Sequence, residues 1–251
     1  MTSLKRKGVF ELVEPPDGCN VISSKWIFKA KRDASGNIHP YKARLVARGF
    51  SQRLGEDYDE TFALVVKHET IRTLLSIAAR PHFDVKCADL NAELPEKLYM
   101  EQPTGFEDTN KDMVWQFKRS IYGLKQSARA WNTKAREILT TVGFCQAKAD
   151  LCLYTRKEPS RSMTYVLLYV DDLLLAAENE AVALTVNKQL NKYIEVKDLG
   201  EVSYYLGIQI EQKLDGTFLI HQKNKIMQLL KTCSMKEAKP VATPMETNYL
   251  S

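Results

Sequence analysis

The sequence predicts an α+β fold in which an antiparallel sheet is backed by helices. From residue 69 to residue 210 the hydrophobic patterns follow the order helix, strand, helix, hairpin, helix, strand. A hairpin joins two antiparallel strands, which breaks the strand and helix alternation of a doubly wound parallel sheet. The 251 residues, 44% hydrophobic and 27% charged, suffice for a sizeable core in one large domain or two small ones.

The first half of the chain predicts a hairpin, a helix and a strand. Lys25–Lys31 and Tyr41–Arg48 are short strand-like runs, and the turn cluster 33–37 separates them. Glu69–Ala79 has the period of an amphipathic helix, with its apolar stripe at Ile71, Leu74, Leu75 and Ala78. In His82–Ala88 apolar and polar residues alternate, which is typical of a half-buried strand.

The second half predicts three helices and a longer hairpin. The segment 128–142 has helical spacing and ends at Gly143. Its apolar stripe includes Trp131, which favours a core role for this residue over stacking on a substrate. Thr164–Ala177 is predicted as a hairpin. The remaining expected elements are a helix at 182–193, strands at 202–210 and 217–221 around the turn 215–216, and a helix at 223–233.

Composition excludes several classes of protein. No apolar run approaches 18 residues, and the N-terminal segment lacks the apolar stretch of a signal peptide. We therefore expect no membrane partner and an intracellular location, cytoplasmic or nuclear. The five cysteines are odd in number and lack paired spacing, which argues against a disulfide framework and against a zinc site.

Positive charge is concentrated near the N-terminus. Residues 1–54 hold eleven Lys or Arg against four Asp or Glu, whereas the remaining 197 residues hold 25 against 27. A basic region on a near-neutral body suits a polyanion such as nucleic acid or a triphosphate, because cationic side chains gain from phosphate contacts and counterion release. The alternative is an ordinary solvated basic face.

The hairpin 164–177 contains two adjacent carboxylates, Asp171 and Asp172, between two apolar runs. Such a pair is costly in a partly buried place unless a cation compensates it, and Mg²⁺ accepts carboxylates together with substrate phosphates. Asp84 is the best candidate for a third ligand, because it lies on a short strand with an apolar opposite face. Two such ions can activate an attacking 3′-hydroxyl and stabilise a pyrophosphate leaving group. The alternative is a solvent-exposed turn that the two acids cap.

The segment Tyr169-Val-Asp-Asp172 resembles the YxDD box of reverse transcriptases. The wider sequence resembles the copia-type long-terminal-repeat retrotransposons. Eight further phrases follow in that family's order, at 41–52 (YKARLVARGFSQ), 57–62 (DYDETF), 83–86 (FDVK), 99–103 (YMEQP), 121–126 (IYGLKQ), 129–131 (RAW), 197–201 (KDLGE) and 205–208 (YLGI). Four letters alone are a weak signal, whereas an ordered set from about residue 4 to residue 245 is a strong one.

The resemblance implies a fingers and palm fold and an RNA-directed DNA polymerase. Fingers would occupy 1–80, and the palm 81–210 with finger segments near 95–120. The end of the palm or the start of a thumb would occupy 211–251, and the ribonuclease H, protease and integrase regions would be absent. The implied cofactor is Mg²⁺ as two ions, with Mn²⁺ as a substitute. The implied partners are an RNA or DNA template-primer and deoxynucleoside triphosphates, and the oligomeric state stays open.

The resemblance also implies roles for single residues. Asp84, Asp171 and Asp172 would be the catalytic metal ligands, together with the backbone carbonyl of Val85. Lys197 would be a general acid for pyrophosphate, and for this residue the alternative is a solvated lysine. The other nucleotide contacts would come from Lys42, Arg44, Asp89, Gly123 and Gln126 with its neighbour Lys125, and the primer or template contacts from Tyr169, Leu206 and Gly207. Lys42 and Arg44 would bind the triphosphate, and their alternative is an ordinary strand-surface cation.

Three features depart from the family pattern. Asp89 occupies the position of an aromatic residue that excludes a 2′-hydroxyl, and a carboxylate there would repel a triphosphate. The link 80–83 before Asp84 is short, and Ala128 replaces a proline. These departures favour, as an alternative, a catalytically impaired relic that retains the fold and binds nucleic acid. A palm-type nucleotide cyclase is a third hypothesis, and it is disfavoured because it has no use for the basic hairpin.

Overall fold

The structure is a computed structural model that describes residues 1–32, 38–213 and 217–239. The predicted turns at 33–37 and 215–216 and the segment 240–251 lie outside these ranges. The described residues form two units, 1–201 and 202–239. They contain helices α1 (Thr2–Arg6), α2 (His68–Ala78), α3 (Ser127–Thr141), α4 (Glu180–Leu190) and α5 (Lys223–Thr232), and the strands β1 (Phe10–Val13), β2 (Val21–Ile22), β3 (Ser24–Arg32), β4 (Ile38–Ala47), β5 (Ala79–Val85), β6 (Glu93–Met100), β7 (Val114–Arg119), β8 (Cys145–Gln146), β9 (Leu153–Lys157), β10 (Met163–Tyr169), β11 (Asp172–Ala176), β12 (Val196–Glu201), β13 (Tyr204–Tyr205), β14 (Ile208–Gln212) and β15 (Phe218–His221).

A six-stranded sheet in the order β12-β5-β11-β10-β9-β8 forms the centre of the first unit. Every neighbouring pair in it is antiparallel, which confirms the predicted antiparallel sheet. Its core face is covered by apolar side chains of α3 and α4, namely Trp131, Ala135, Ile138, Leu139, Ala183, Val186 and Leu190. Helix α2 contacts β5 and β11. The sheet is therefore backed by helices, as the sequence predicts.

The first unit has two further sheets. A four-stranded sheet has the order β1-β7-β6-β2, in which β2 and β6 are parallel. Its side chains contribute to a second core, which includes Ile22, Leu98, Met100, Trp115 and Phe117. Strands β3 and β4 form a separate two-stranded ribbon, which confirms the predicted N-terminal hairpin. In the second unit, β13, β14 and β15 form a three-stranded antiparallel sheet followed by α5.

Two strand predictions are wrong in their bounds. The strand expected at 82–88 begins at Ala79, directly after α2, and ends at Val85. Its end is fixed by Cys87, whose φ of 53° lies in the left-handed region and turns the chain into the short 3₁₀ helix Ala88–Asn91. The strand expected at 202–210 is broken in two, because Leu206 and Gly207 both have positive φ. The bounds of the four predicted helices agree within a few residues with those of α2, α3, α4 and α5.

No helix among the described residues is both long and apolar enough to cross a membrane. All five cysteines are free thiols. The boundaries predicted near residues 80 and 210 divide the chain into fingers, palm and the start of a thumb, and this division stays a prediction.

Candidate active site

Three charged residues form one row across the six-stranded sheet. Asp84 on β5 is paired with Asp172 on β11 and with Lys197 on β12. Directly paired residues of antiparallel strands point to the same face, with Cβ atoms about 5 Å apart. Phe83 and Val85, on either side of Asp84, are each 1% exposed and belong to the core on the other face. The alternation of β5 therefore turns Asp84 away from the core and sets it between an acid and a base.

Asp171 lies in the turn beside this row. Tyr169 pairs with Asp172, so Val170 and Asp171 form a two-residue loop. The backbone amide of Val85 donates a hydrogen bond of 2.7 Å to the carbonyl of Asp171. This bond ties the loop to the strand that presents Asp84. The three aspartates predicted from the sequence are thus brought to neighbouring backbone positions.

The second carbonyl of the loop is also held. Nε1 of Trp131 donates a hydrogen bond of 2.6 Å to the carbonyl of Val170. Trp131 is 1% exposed and packs in the core on the α3 side of the sheet, which confirms its predicted core role. Its hydrogen bond to the loop was not predicted, because helical periodicity gives the direction of the ring and not the partner of its N–H.

The donor chemistry of the site suits a hard cation. Asp84, Asp171 and Asp172 are half-buried, and carboxylate oxygens are the side-chain ligands that Mg²⁺ prefers. Within residues 1–32, 38–213 and 217–239, no three His, Cys, Asp or Glu side chains form a group that could hold a metal ion. The backbone therefore brings the aspartates together, while the side chains of the described residues do not form a complete set of metal ligands.

A tyrosine that the sequence analysis missed connects three of the predicted residues. The guanidinium of Arg44 lies over the ring of Tyr122, 5.3 Å from its centroid. Burial raises the pKa of the Tyr122 hydroxyl, and the carboxylates of Asp171 and Asp89 raise it further, because they disfavour a nearby phenolate. Tyr122 is half-buried. Its only sequence signal is its place immediately before Gly123 in a family phrase.

Asp89 is the most unusual carboxyl of the region. It lies in the 3₁₀ helix 88–91 and is 6% exposed. Burial raises the pKa of Asp89 to about 6, because a desolvated carboxylate is disfavoured. The negative charge of Asp89 is therefore present near neutral pH and is lost in mild acid.

Gly123 makes a close backbone approach, but its partner in the structure is strand β4. Its φ is +92°, and a Cβ at this position would overlap the carbonyl oxygen of Ala47 and lie 2.6 Å from Cγ1 of Val46. The amide of Ala47 donates a hydrogen bond of 2.8 Å to the carbonyl of Tyr122. The need for glycine is thus explained by protein packing. A contact of Gly123 with nucleotide stays a prediction.

Gln126 and Lys125 have structural partners. Gln126 is 3% exposed, and its amide accepts from Nε2 of Gln52 at 3.1 Å and donates to the carbonyl of Asp57 at 2.9 Å. Nζ of Lys125 donates to the hydroxyl of Tyr58 at 3.0 Å and lies 4.5 Å from its ring centroid. Gln126 is thus a buried link between loops, and both polar atoms of its amide have partners inside the protein. A contact of Gln126 with nucleotide stays a prediction.

The other predicted contacts are less fully described. Lys42 pairs with Lys29 across the β3–β4 ribbon, and its side chain lies outside what the structure describes. Leu206 and Gly207 form the turn between β13 and β14, where the carbonyl of Gly207 accepts from Nε2 of Gln222 at 3.2 Å. This turn belongs to the second unit. The primer roles of Tyr169, Leu206 and Gly207 stay predictions.

Comparison with known proteins gives consistent matches. Residues 7–247 match the family described as reverse transcriptase (RNA-dependent DNA polymerase). The chain is 38% identical over 98% of its length to the retrovirus-related Pol polyprotein from transposon TNT 1-94 of Nicotiana tabacum, and 37% identical over 93% to that from transposon RE2 of Arabidopsis thaliana. It is 29% identical over 89% to the transposon Ty1-DR1 Gag-Pol polyprotein of Saccharomyces cerevisiae. These matches cover 19%, 16% and 12% of the respective relatives, so the chain spans a fifth of their length or less.

Proposed function

Because the chain belongs to the reverse transcriptase (RNA-dependent DNA polymerase) family, we propose that it extends a primer by template-directed nucleotidyl transfer. The membership confirms the resemblance noted in the sequence. The proposed substrates are deoxynucleoside triphosphates and a primer annealed to RNA or DNA. The observation that carries the proposal is the row in which Asp84 lies between Asp172 and Lys197.

Asp84 and Asp172 would hold divalent cations, and Asp171 would join them from the adjacent loop. Mg²⁺ commonly binds one or two carboxylates and completes its shell with water and substrate phosphates, so a full protein cage is not needed before the nucleotide arrives. Bound as a pair, such ions would supply activation of the primer 3′-hydroxyl and neutralise charge on pyrophosphate. The backbone carbonyl of Val85 is the proposed further ligand.

Lys197 is the proposed proton donor to pyrophosphate, and Arg44 the proposed contact of the triphosphate. Lys197 is exposed and adjacent to Asp84 in the sheet, so a leaving group held at the aspartates would be within its reach. Arg44 is half-buried against Tyr122 and presents a guanidinium, which makes charge-assisted hydrogen bonds with phosphate oxygens.

We assign the six-stranded sheet to the palm and the β3–β4 ribbon to the fingers. The antiparallel pairing of β5, β11 and β12 supports the first assignment, since it joins the proposed catalytic residues in one sheet. The basic residues of β3 and β4, with no acid among them, support the second. Their charge suits a polyphosphate.

The proposed activity is tested by primer extension on an RNA template with Mg²⁺. Asp84→Asn and Asp172→Asn each remove one charge with little change in volume, and each is expected to abolish nucleotide incorporation. Asp198→Asn is the matched control, because Asp198 is an exposed aspartate on β12 next to Lys197, and this variant should retain activity. Incorporation that survives either of the first two changes would contradict the proposal.

Asp89 favours a second candidate, a protein that binds nucleic acid and has lost catalysis. A buried carboxylate in this region adds negative charge where a triphosphate would bind. Filter binding of a template-primer without incorporation at any Mg²⁺ or Mn²⁺ concentration would select this candidate. Asp89→Phe then tests the cause, because it removes the charge and introduces an aromatic ring. Recovery of incorporation would identify Asp89 as the defect.

A further inference from the structure

The loop of the aspartate hairpin has an unfavourable backbone conformation. Val170 has a φ of 50°, a left-handed conformation that β-branched residues rarely adopt. A Gly or Asn would adopt it readily, and the sequence has neither at positions 170 and 171. The conformation must therefore be maintained by contacts outside the loop.

Two hydrogen bonds supply such contacts, one on each carbonyl of the loop. The carbonyl of Asp171 accepts from the amide of Val85 on β5, and the carbonyl of Val170 accepts from the indole of Trp131 on α3. The first comes from the neighbouring strand of the same sheet. The second comes from a different element, and it is the one that a side-chain substitution can remove.

Trp131 is well suited to fix a backbone atom. Its ring is 1% exposed and packs among apolar side chains of the core, so it has little freedom to rotate. A buried indole N–H requires an acceptor, and here the acceptor is the loop carbonyl at 2.6 Å. The distance is slightly shorter than the usual range of about 2.7–3.2 Å for N–H···O bonds. The helix thus holds the loop through one directed bond.

We propose that Trp131 is a positioning residue for catalysis: its indole N–H holds the left-handed loop at Val170, and the loop in turn sets the directions of Asp171 and Asp172. The proposal rests on the proposed function. It assigns to Trp131 a role beyond packing, since a phenylalanine would fill most of the same space without holding the loop. Asp171 is inside the loop and Asp172 follows it directly, so a change at Val170 is transmitted to both carboxylates.

The first test is Trp131→Phe in primer extension. We expect kcat to fall about 10-fold, the usual scale for one lost directed hydrogen bond, with KM for nucleotide nearly unchanged. Trp115→Phe is the matched control, because Trp115 is 2% exposed and lies in the second core against Phe10. It should lower the thermal midpoint by a similar amount while leaving kcat unchanged. Equal kcat values for the two variants would overturn the proposal.

A second variant separates loop geometry from packing. Val170→Gly lowers the cost of the positive φ without touching the ring. Added to Trp131→Phe, it should restore much of the lost kcat, whereas a packing defect at Trp131 would persist. An unchanged or lower kcat in the double variant would count against the positioning role.

The third measurement does not depend on activity. Mn²⁺ binding, followed by the electron paramagnetic resonance signal of the free ion, should be weaker in Trp131→Phe than in the parent and in Trp115→Phe. If the parent incorporates no nucleotide but shows this order of Mn²⁺ affinity, the proposed function fails, whereas the part of the proposal in which Trp131 sets the directions of the aspartates stands. If the parent and Trp131→Phe bind Mn²⁺ equally, or neither binds it, the positioning role is refuted.

Discussion

Gly123→Ala should be among the most destabilising substitutions in the chain. Gly123 has a φ of +92°, where an L-residue is strained by about 1–3 kcal/mol. The new methyl group would also overlap the carbonyl oxygen of Ala47, so the two backbones must separate. Separation breaks the 2.8 Å hydrogen bond from Ala47 to Tyr122 and leaves a buried amide unpaired, at about 1–3 kcal/mol. The expected total loss is about 4 kcal/mol.

Gly143→Ala is the matched control for this prediction. Its φ is +91°, nearly the same as that of Gly123, but a Cβ at Gly143 would meet only Cδ of Arg156 at 3.4 Å. The control therefore incurs the conformational cost alone, about 2 kcal/mol. Urea denaturation followed by circular dichroism gives the free energy of unfolding of both variants. Equal losses would refute the close approach between Gly123 and Ala47.

Three other predictions concern charged groups. Asp89→Asn should be about 3 kcal/mol more stable than the parent above pH 7, because burial raises the pKa of Asp89 to about 6 and its ionised form disfavours folding. The difference in the free energy of unfolding should vanish as the pH falls to 4. A difference that stays constant with pH would refute the raised pKa of Asp89. Asp150→Asn should behave oppositely. Burial alone would raise the pKa of Asp150, but hydrogen bonds from Thr70 and from two backbone amides keep it below its usual value, so the variant should be less stable at pH 7 and approach the parent in acid. Arg44→Gln should raise KM for nucleotide about 10- to 100-fold, the scale of hydrogen bonds to charged groups, whereas Arg44→Lys should keep part of the affinity; an unchanged KM in primer extension would remove Arg44 from the proposed site.

The parts of the fold that the sequence predicts are those in which local pattern and tertiary environment agree. Helix α3 keeps a strict apolar stripe that packs on one face of the sheet, and β10 and β11 are apolar runs buried on both faces. The sequence also predicts a site at the two aspartates of the hairpin, because a charge inside an apolar run is costly and requires a compensating partner. In these segments no distant residue is needed to explain the element.

Strand β12 illustrates the opposite case. Of Val196–Glu201 only Val196 is buried, so the segment has no alternation that would mark a strand. It is extended because the edge of β5 offers it backbone partners, from Val85 to Pro81. Strand formation of this kind depends on a neighbour supplied by the tertiary fold, which local propensity does not contain. For the same reason the local pattern does not place Lys197 beside Asp84, and only the family resemblance assigns Lys197 to the site.

Trp131 and Tyr122 show where prediction of the site stops. The helical stripe predicts that the Trp131 ring is buried, and burial obliges its N–H to find an acceptor. That much follows from sequence. The identity of the acceptor, the carbonyl of Val170, depends on where α3 crosses the hairpin. The position of Tyr122 near Asp171 likewise depends on tertiary packing, in which the neighbouring Gly123 lies against β4. Carboxylates inside an apolar run indicate a site from the sequence alone, because burial of their charge is costly. The aromatic residues beside them, Trp131 and Tyr122, are recognised only once the packing is known.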